Sequence, residues 1–106
     1  MKILFDQGTP VPLRVALQSH TVSTAFEMGW AALDNGELLR AAEKSFDALI
    51  TTDQNLRYQQ NLSGRRLAIL VLLTTSWPRI QPHISEVLKA VEGLSPGEYR
   101  EVHFAE

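Results

Sequence analysis

The 106-residue chain contains no cysteine, which excludes disulfides and thiolate metal sites and suits a reducing compartment. It also lacks a long hydrophobic run, because the longest one, residues 67–73, is far too short to cross a bilayer. Its formal net charge is only −2, so overall charge would not attract a polyanion. A nucleic acid would need a local basic surface or a metal ion. We therefore expect a cytoplasmic protein without a membrane segment.

The chain does have enough hydrophobic material for one core. Apolar residues make up 44% of it, which disfavours long disordered tracts. Its length fits one domain over residues 1–106. The three histidines are far apart in the sequence, so a structural zinc site is not expected.

The hydrophobic pattern predicts five strands and three helices. We expect the strands at residues 2–5, 21–24, 48–53, 67–73 and 99–104, and the helices at residues 10–18, after Asp34, and from Thr75 or Ser76 to Gly93. Residues 54–66 are polar, with several amides and arginines. This order is typical of an α/β domain whose mostly parallel sheet of four to five strands is flanked by helices.

Two carboxylates directly follow predicted strands. Asp6 comes after the first strand and Asp53 closes the third. In a parallel sheet the loops at the carboxyl ends of the strands form the site, near the point where strand order reverses. If the first and third strands are neighbours, the two carboxylates lie close together and repel each other. A cation or a shared proton would relieve that repulsion.

At this point the chain resembles the PIN-like nuclease family, in particular the short branch found as toxins in bacterial toxin–antitoxin pairs. The resemblance rests on four local patterns and on their order along nearly the whole chain. They are Ile3-Leu4-Phe5-Asp6, then Asn35-Gly36-Glu37-Leu38-Leu39, then Ala48-Leu49-Ile50-Thr51-Thr52-Asp53, and finally a hydrophobic strand followed by a long helix. The resemblance implies a three-layer PIN-like fold.

The resemblance further implies metal-dependent cleavage of RNA. It assigns Asp6, Glu37 and Asp53 as catalytic residues and as ligands of Mg²⁺ or Mn²⁺, ions that prefer hard oxygen donors. It also implies a small antitoxin protein as a partner and allows a homodimer. For contacts with the RNA backbone or bases we expect residues near the two aspartates, namely Gln7, Gln54, Asn55, Arg57 and Arg65.

The sequence departs from the family pattern in its acids. Many relatives have a second acid where this chain has Gln7, and another where it has Gln54 and Asn55. A two-metal site is therefore disfavoured. Glu37 also follows Asp34 by three residues, which fits a helix capping box, and the two roles do not exclude each other.

Two other functions stay open. The first is a catalytically weak or inactive PIN-like module that binds RNA or a protein partner, which the missing acids favour. The second is a phosphoacceptor signalling domain, which also places an aspartate after its third strand. Such a domain needs a pair of acids after the first strand and a lysine after the last, and neither is present. We regard it as the weakest of the three.

Overall fold

The computed structural model describes residues 1–104. They form one five-stranded sheet in which every neighbouring pair of strands is parallel, in the order β2-β1-β3-β4-β5. The strands are β1 (Lys2–Phe5), β2 (Thr21–Thr24), β3 (Ala48–Thr51), β4 (Ala68–Leu72) and β5 (Tyr99–Val102). The predicted α/β fold with four to five strands is confirmed, and the sheet is wholly parallel.

Helices connect these strands. They are α1 (Leu13–Ala16), α2 (Asn35–Ser45), α3 (Leu56–Gln59), α4 (Trp77–Ile80) and α5 (Ile84–Glu92), and a 3₁₀ turn, Gln81–His83, joins the last two. Among residues 1–104 none of the helices has the length and hydrophobicity needed to traverse a bilayer.

The alternation of side chains along the strands divides the core into two clusters. Ile3, Phe5 and Ile50 point to the side where α1, α4 and α5 pack. Leu4 and Leu49 point to the other side, against α2 and α3. All four residues of β3 and all five of β4 are buried, as their continuous apolar sequences predict.

Two predicted helices differ from the structure. The helix expected over residues 10–18 is reduced to α1, because the N–H groups of Leu13 and Leu17 bond to carbonyls three residues back and form turns at both ends of it. The helix expected up to Gly93 is interrupted at Gln81–His83, where Pro82 has no backbone N–H to donate. The polar stretch after Asp53 contains the short helix α3, which Leu56 anchors in the core.

Candidate functional site

Asp6 and Asp53 lie at the edge formed by the carboxyl ends of the strands. β1 and β3 are direct neighbours, with Phe5 opposite Ile50, and the backbone N–H of Asp6 donates to the carbonyl of Ile50 at 3.0 Å. β1 is also the strand at which the chain order reverses, because β2 pairs with one side of it and β3 with the other. The two aspartates therefore occupy the position where ligands bind in open α/β sheets.

The hydroxyl of Thr51 connects the two aspartates. It donates to Asp6 Oδ2 at 2.9 Å and accepts the backbone N–H of Asp53 at 3.1 Å. Thr51 is fully buried at the end of β3, so its side chain has little freedom to turn away. This bridge fixes the Asp6 carboxylate relative to the start of the loop that carries Asp53.

Two asparagines hold the Asp53 carboxylate. Asn35, the first residue of α2, donates from Nδ2 to Asp53 Oδ2 at 3.1 Å. The backbone N–H of Asn55 donates to Asp53 Oδ1 at 2.9 Å, which closes a local turn after the strand. Each carboxylate oxygen can accept a further bond, so the pair keeps free lone pairs for a cation.

Burial raises the pKa of Asp6 above its ordinary value of 3.8. The hydrogen bonds from Thr51 and from the backbone N–H of Gln7 lower this pKa, while the negative charge of Asp53 raises it further. The ionised pair is therefore destabilised in the folded protein, and a bound cation would stabilise it.

We expect Asp6→Asn to gain stability relative to the wild type between about pH 4 and about pH 7, because the amide removes the desolvated charge. The carboxylate accepts from Thr51 and from the N–H of Gln7 through different oxygens, so the single amide oxygen loses one of these bonds at both pH values. A raised pKa means that the folded state holds its proton to higher pH than the unfolded chain. Stability is thus lost as pH rises from 3.8 through the raised pKa, and the stability of the variant relative to the wild type should be lower at about pH 4 than at about pH 7. Thermal melts at both pH values measure this, and an equal difference at both would contradict it.

Within residues 1–104 the side chain of Glu37 forms hydrogen bonds at the start of α2 and none with Asp6 or Asp53. Its Oε1 accepts the backbone N–H of Asp34 at 3.1 Å, and Asp34 Oδ1 accepts the N–H of Glu37 at 2.8 Å. These reciprocal bonds form the capping box of α2. Glu37 also lines a groove on α2 that neither aspartate lines. The structure therefore brings together two of the three expected ligands.

The expected RNA-contacting residues are spread over several surfaces. Gln7 lies beside Asp6, and Gln54 and Asn55 follow Asp53 on the surface. Arg57 instead packs over the rings of Tyr58 and Tyr99, with its guanidinium carbon 4.9 and 5.4 Å from their centroids. Its Nη2 also donates to the Tyr58 hydroxyl at 2.8 Å, and this bond is the main reason that the pKa of Arg57 is raised. Arg65 lines the groove on α2.

A cavity of about 660 Å³ opens beside Asp6, between the loops that follow β1 and β2. Phe26 stands at it with 77% of its surface exposed, next to the exposed Val11. Arg14 also lines the cavity, but it forms a bidentate ion pair with Glu27 and, with the backbone N–H of Thr24, lowers the pKa of that acid to about 2. The cavity therefore presents an aromatic ring and no unpaired cation.

The residues that support the site are not evident from the sequence. Thr51 and Asn35 lie inside the family-like patterns, but those patterns do not predict their contacts with Asp6 and Asp53. Thr9 is buried and donates to the carbonyl of Ile50 at 3.0 Å, a contact that the sequence does not predict either. A polar residue that ends an otherwise apolar strand, as Thr51 does, is the signal that could have identified its role.

The donor set fits a hard divalent cation through two carboxylates. Mg²⁺ commonly uses one or two carboxylates together with water and substrate phosphate. Within residues 1–104 there is no group of three or more histidine, aspartate or glutamate side chains arranged to hold a metal ion. Among the acids of residues 1–104, Asp6 and Asp53 would be the carboxylate ligands of an ion at this edge of the sheet.

Comparison of the chain with protein-family models, with curated proteins and with solved structures finds no match.

Proposed function

We propose that the protein is a metal-dependent ribonuclease that hydrolyses phosphodiester bonds at the Asp6–Asp53 pair. The observation that carries this proposal is the placement of two aspartates at the reversal point of the parallel sheet, where the Thr51 hydroxyl links the Asp6 carboxylate to the backbone N–H of Asp53. The proposal also agrees with the resemblance of the sequence to PIN-like nucleases.

Asp6 and Asp53 would hold one Mg²⁺ or Mn²⁺ ion, which when bound supplies the Lewis acidity to activate water and to neutralise charge on the phosphate. Thr51 orients the Asp6 carboxylate, and Asn35 orients that of Asp53. Such contacts to ligating carboxylates keep them in one geometry and support metal affinity.

The cavity beside Asp6 supports RNA with unpaired bases as the substrate. Sequence-specific binding of RNA commonly places unstacked bases on exposed aromatic rings, and Phe26 offers such a ring next to a carboxylate. Because Glu27 pairs with the nearby Arg14, this cavity is better suited to a base than to a phosphate.

A second candidate function is a non-catalytic module that binds RNA or a protein. The capping box that engages Glu37 favours it, because it leaves two carboxylates where the resemblance implies three ligands. The toxin role, the small antitoxin partner, the homodimer and the cytoplasmic location follow from the resemblance and the composition, and they stay predictions.

The test is the incubation of purified protein with short unpaired RNA, with Mg²⁺, with Mn²⁺ or with EDTA. We expect cleavage that depends on the metal. Mn²⁺ should also raise stability, by about 2.7 kcal/mol at about 100 times its Kd, because an ion that binds only the folded state stabilises it. Cleavage without metal would point to a contaminating nuclease. No cleavage and no thermal shift with either metal would favour the binding module.

A further inference from the structure

The groove on α2 is the second surface of interest. It has a volume of about 510 Å³ and is lined by Arg40 and Lys44 of α2 and by Arg65 from the segment before β4. Arg40 and Lys44 are exposed and stand four residues apart, so they are adjacent on one face of the helix. Arg65 approaches from a distant part of the sequence. The fold therefore gathers three cations in a protein of net negative charge.

The two acids of this groove are already engaged. Glu37 belongs to the capping box. Glu43 accepts the backbone N–H groups of Arg66 and Leu67, both at 2.9 Å, and pairs with the Arg66 guanidinium. The carboxylate oxygens of both acids therefore accept hydrogen bonds from backbone N–H groups.

The three cations of the groove have no acidic partner. Over residues 1–104 no carboxylate lies within 4.0 Å of the charged nitrogens of Arg40, Lys44 or Arg65. Arg65 Nε donates to the carbonyl of Asn61 at 3.3 Å, a neutral acceptor that leaves the charge unpaired. The three cations outnumber the two acids of the groove, so the groove keeps a net positive charge that attracts an anion.

The first turn of α2 lies between the groove and Asp53. The Arg40 side chain folds back towards Gly36. A Cβ atom added at Gly36 would lie 3.5 Å from Arg40 Nη1. Asn35, the residue before Gly36, donates to Asp53. Arg40 therefore lies near Gly36, the residue that follows Asn35, the hydrogen-bond partner of Asp53.

We propose that this groove binds the sugar–phosphate backbone of the single RNA strand whose scissile bond lies at Asp6 and Asp53. The inference rests on the proposed function for the position of that bond, and on the three unpaired cations for the contact with phosphates. Arginine and lysine contacts to phosphates position a nucleic acid without reading its sequence. Phe26, in the cavity that Asp6 also lines, would then meet a base of the same strand.

The experiment measures binding of a short fluorescein-labelled oligouridylate by anisotropy, in EDTA so that no metal is available for cleavage. The triple variant Arg40→Ala, Lys44→Ala, Arg65→Ala should bind at least about tenfold more weakly at low salt. Its plot of log affinity against log salt should be shallower by about 2, because each phosphate contact in a single strand contributes about 0.7. Lys44→Ala alone is matched by Lys89→Ala, an exposed lysine of α5 that lies outside the groove. The control should bind like the wild type.

Equal affinity and equal salt dependence of the triple variant and the wild type would overturn the proposal and would favour an acidic protein surface as the occupant. Because the binding measurement needs no metal, it tests RNA binding by the groove separately from metal-dependent cleavage at Asp6 and Asp53. Metal-dependent cleavage with unchanged binding in the variant would reject the groove and keep the nuclease. Groove-dependent binding without cleavage would reject the nuclease and keep the groove.

Discussion

Asp53→Asn should reduce metal-dependent RNA cleavage by about 10²–10⁴-fold, because it removes one of the two negative charges at the proposed metal site. The substitution preserves shape. The new amide can still accept the N–H of Asn55, and Asn35 can turn its own amide to accept from it. The fold should therefore survive, and single-turnover rates with labelled RNA in Mn²⁺ measure the loss. The same variant should lose the Mn²⁺-dependent rise in Tm.

The matched control is Glu37→Gln, which removes a negative charge of the resembling pattern and keeps the capping box, since glutamine also accepts the N–H of Asp34. We expect cleavage within about twofold of the wild type. A loss as large as that of Asp53→Asn would show that Glu37 leaves its cap to join the site. The three-acid ligand set implied by the resemblance would then replace the two-carboxylate site proposed from the geometry.

Much of the fold could be predicted from the sequence because its signals are local. The apolar runs of β3 and β4 have the composition of strands buried on both faces, and both are fully buried. The three-residue spacing of Asp34 and Glu37 predicts the capping box that begins α2. The sequence predicts that Asp6 and Asp53 lie close together if the first and third strands are neighbours, and β1 and β3 are neighbours in the structure.

The position of Glu37 could not be predicted in the same way. Its spacing from Asp34 fits a cap, and its place at the start of a helix fits a ligand. The choice between them depends on the direction of one flexible side chain. In the structure the local bond to the N–H of Asp34 determines that direction, because the first N–H groups near a helix start lack partners within the helix.

The basic groove depends on long-range packing. Arg65 is 21 to 25 residues away from Lys44 and Arg40 in the sequence, and the three meet only when the segment before β4 docks on α2. Charge pairing also decides which cations stay available: Arg14 is paired with Glu27, and Arg57 packs on two tyrosine rings. The sequence alone therefore does not show which basic residues are paired and which ones meet in the groove.

The segment that carries Arg65 is held by a close backbone approach at Gly97. The N–H of Gly97 donates to the carbonyl of Arg66 at 2.7 Å, and Gly97 has a φ of +77°. A side-chain carbon at this position would lie 2.6 Å from the carbonyl oxygen of Arg65. A main-chain oxygen cannot rotate aside as a side chain can. Either the segment before β5 or the segment before β4 would therefore have to move.

We therefore expect Gly97→Ala to lower the free energy of unfolding by about 2–5 kcal/mol, combining about 1–2 kcal/mol of left-handed backbone strain with about 1–3 kcal/mol of overpacking. Gly64→Ala is the matched control, because Gly64 has a φ of +76° and no atom within 4 Å of the added carbon. It should lose the strain contribution alone, about 1–2 kcal/mol. Urea unfolding with comparable m-values measures both.

The difference between the two alanine variants isolates the contact with Arg65. Equal losses would mean that the two segments separate without cost, and that the backbone of Arg65 is not fixed by its neighbour. A larger loss for Gly97→Ala, together with weaker oligouridylate binding at a temperature where the variant is folded, would connect this close approach to the groove. The position of the cation would then depend on the absence of a side chain at Gly97, because only glycine allows both the positive φ and the 2.6 Å approach.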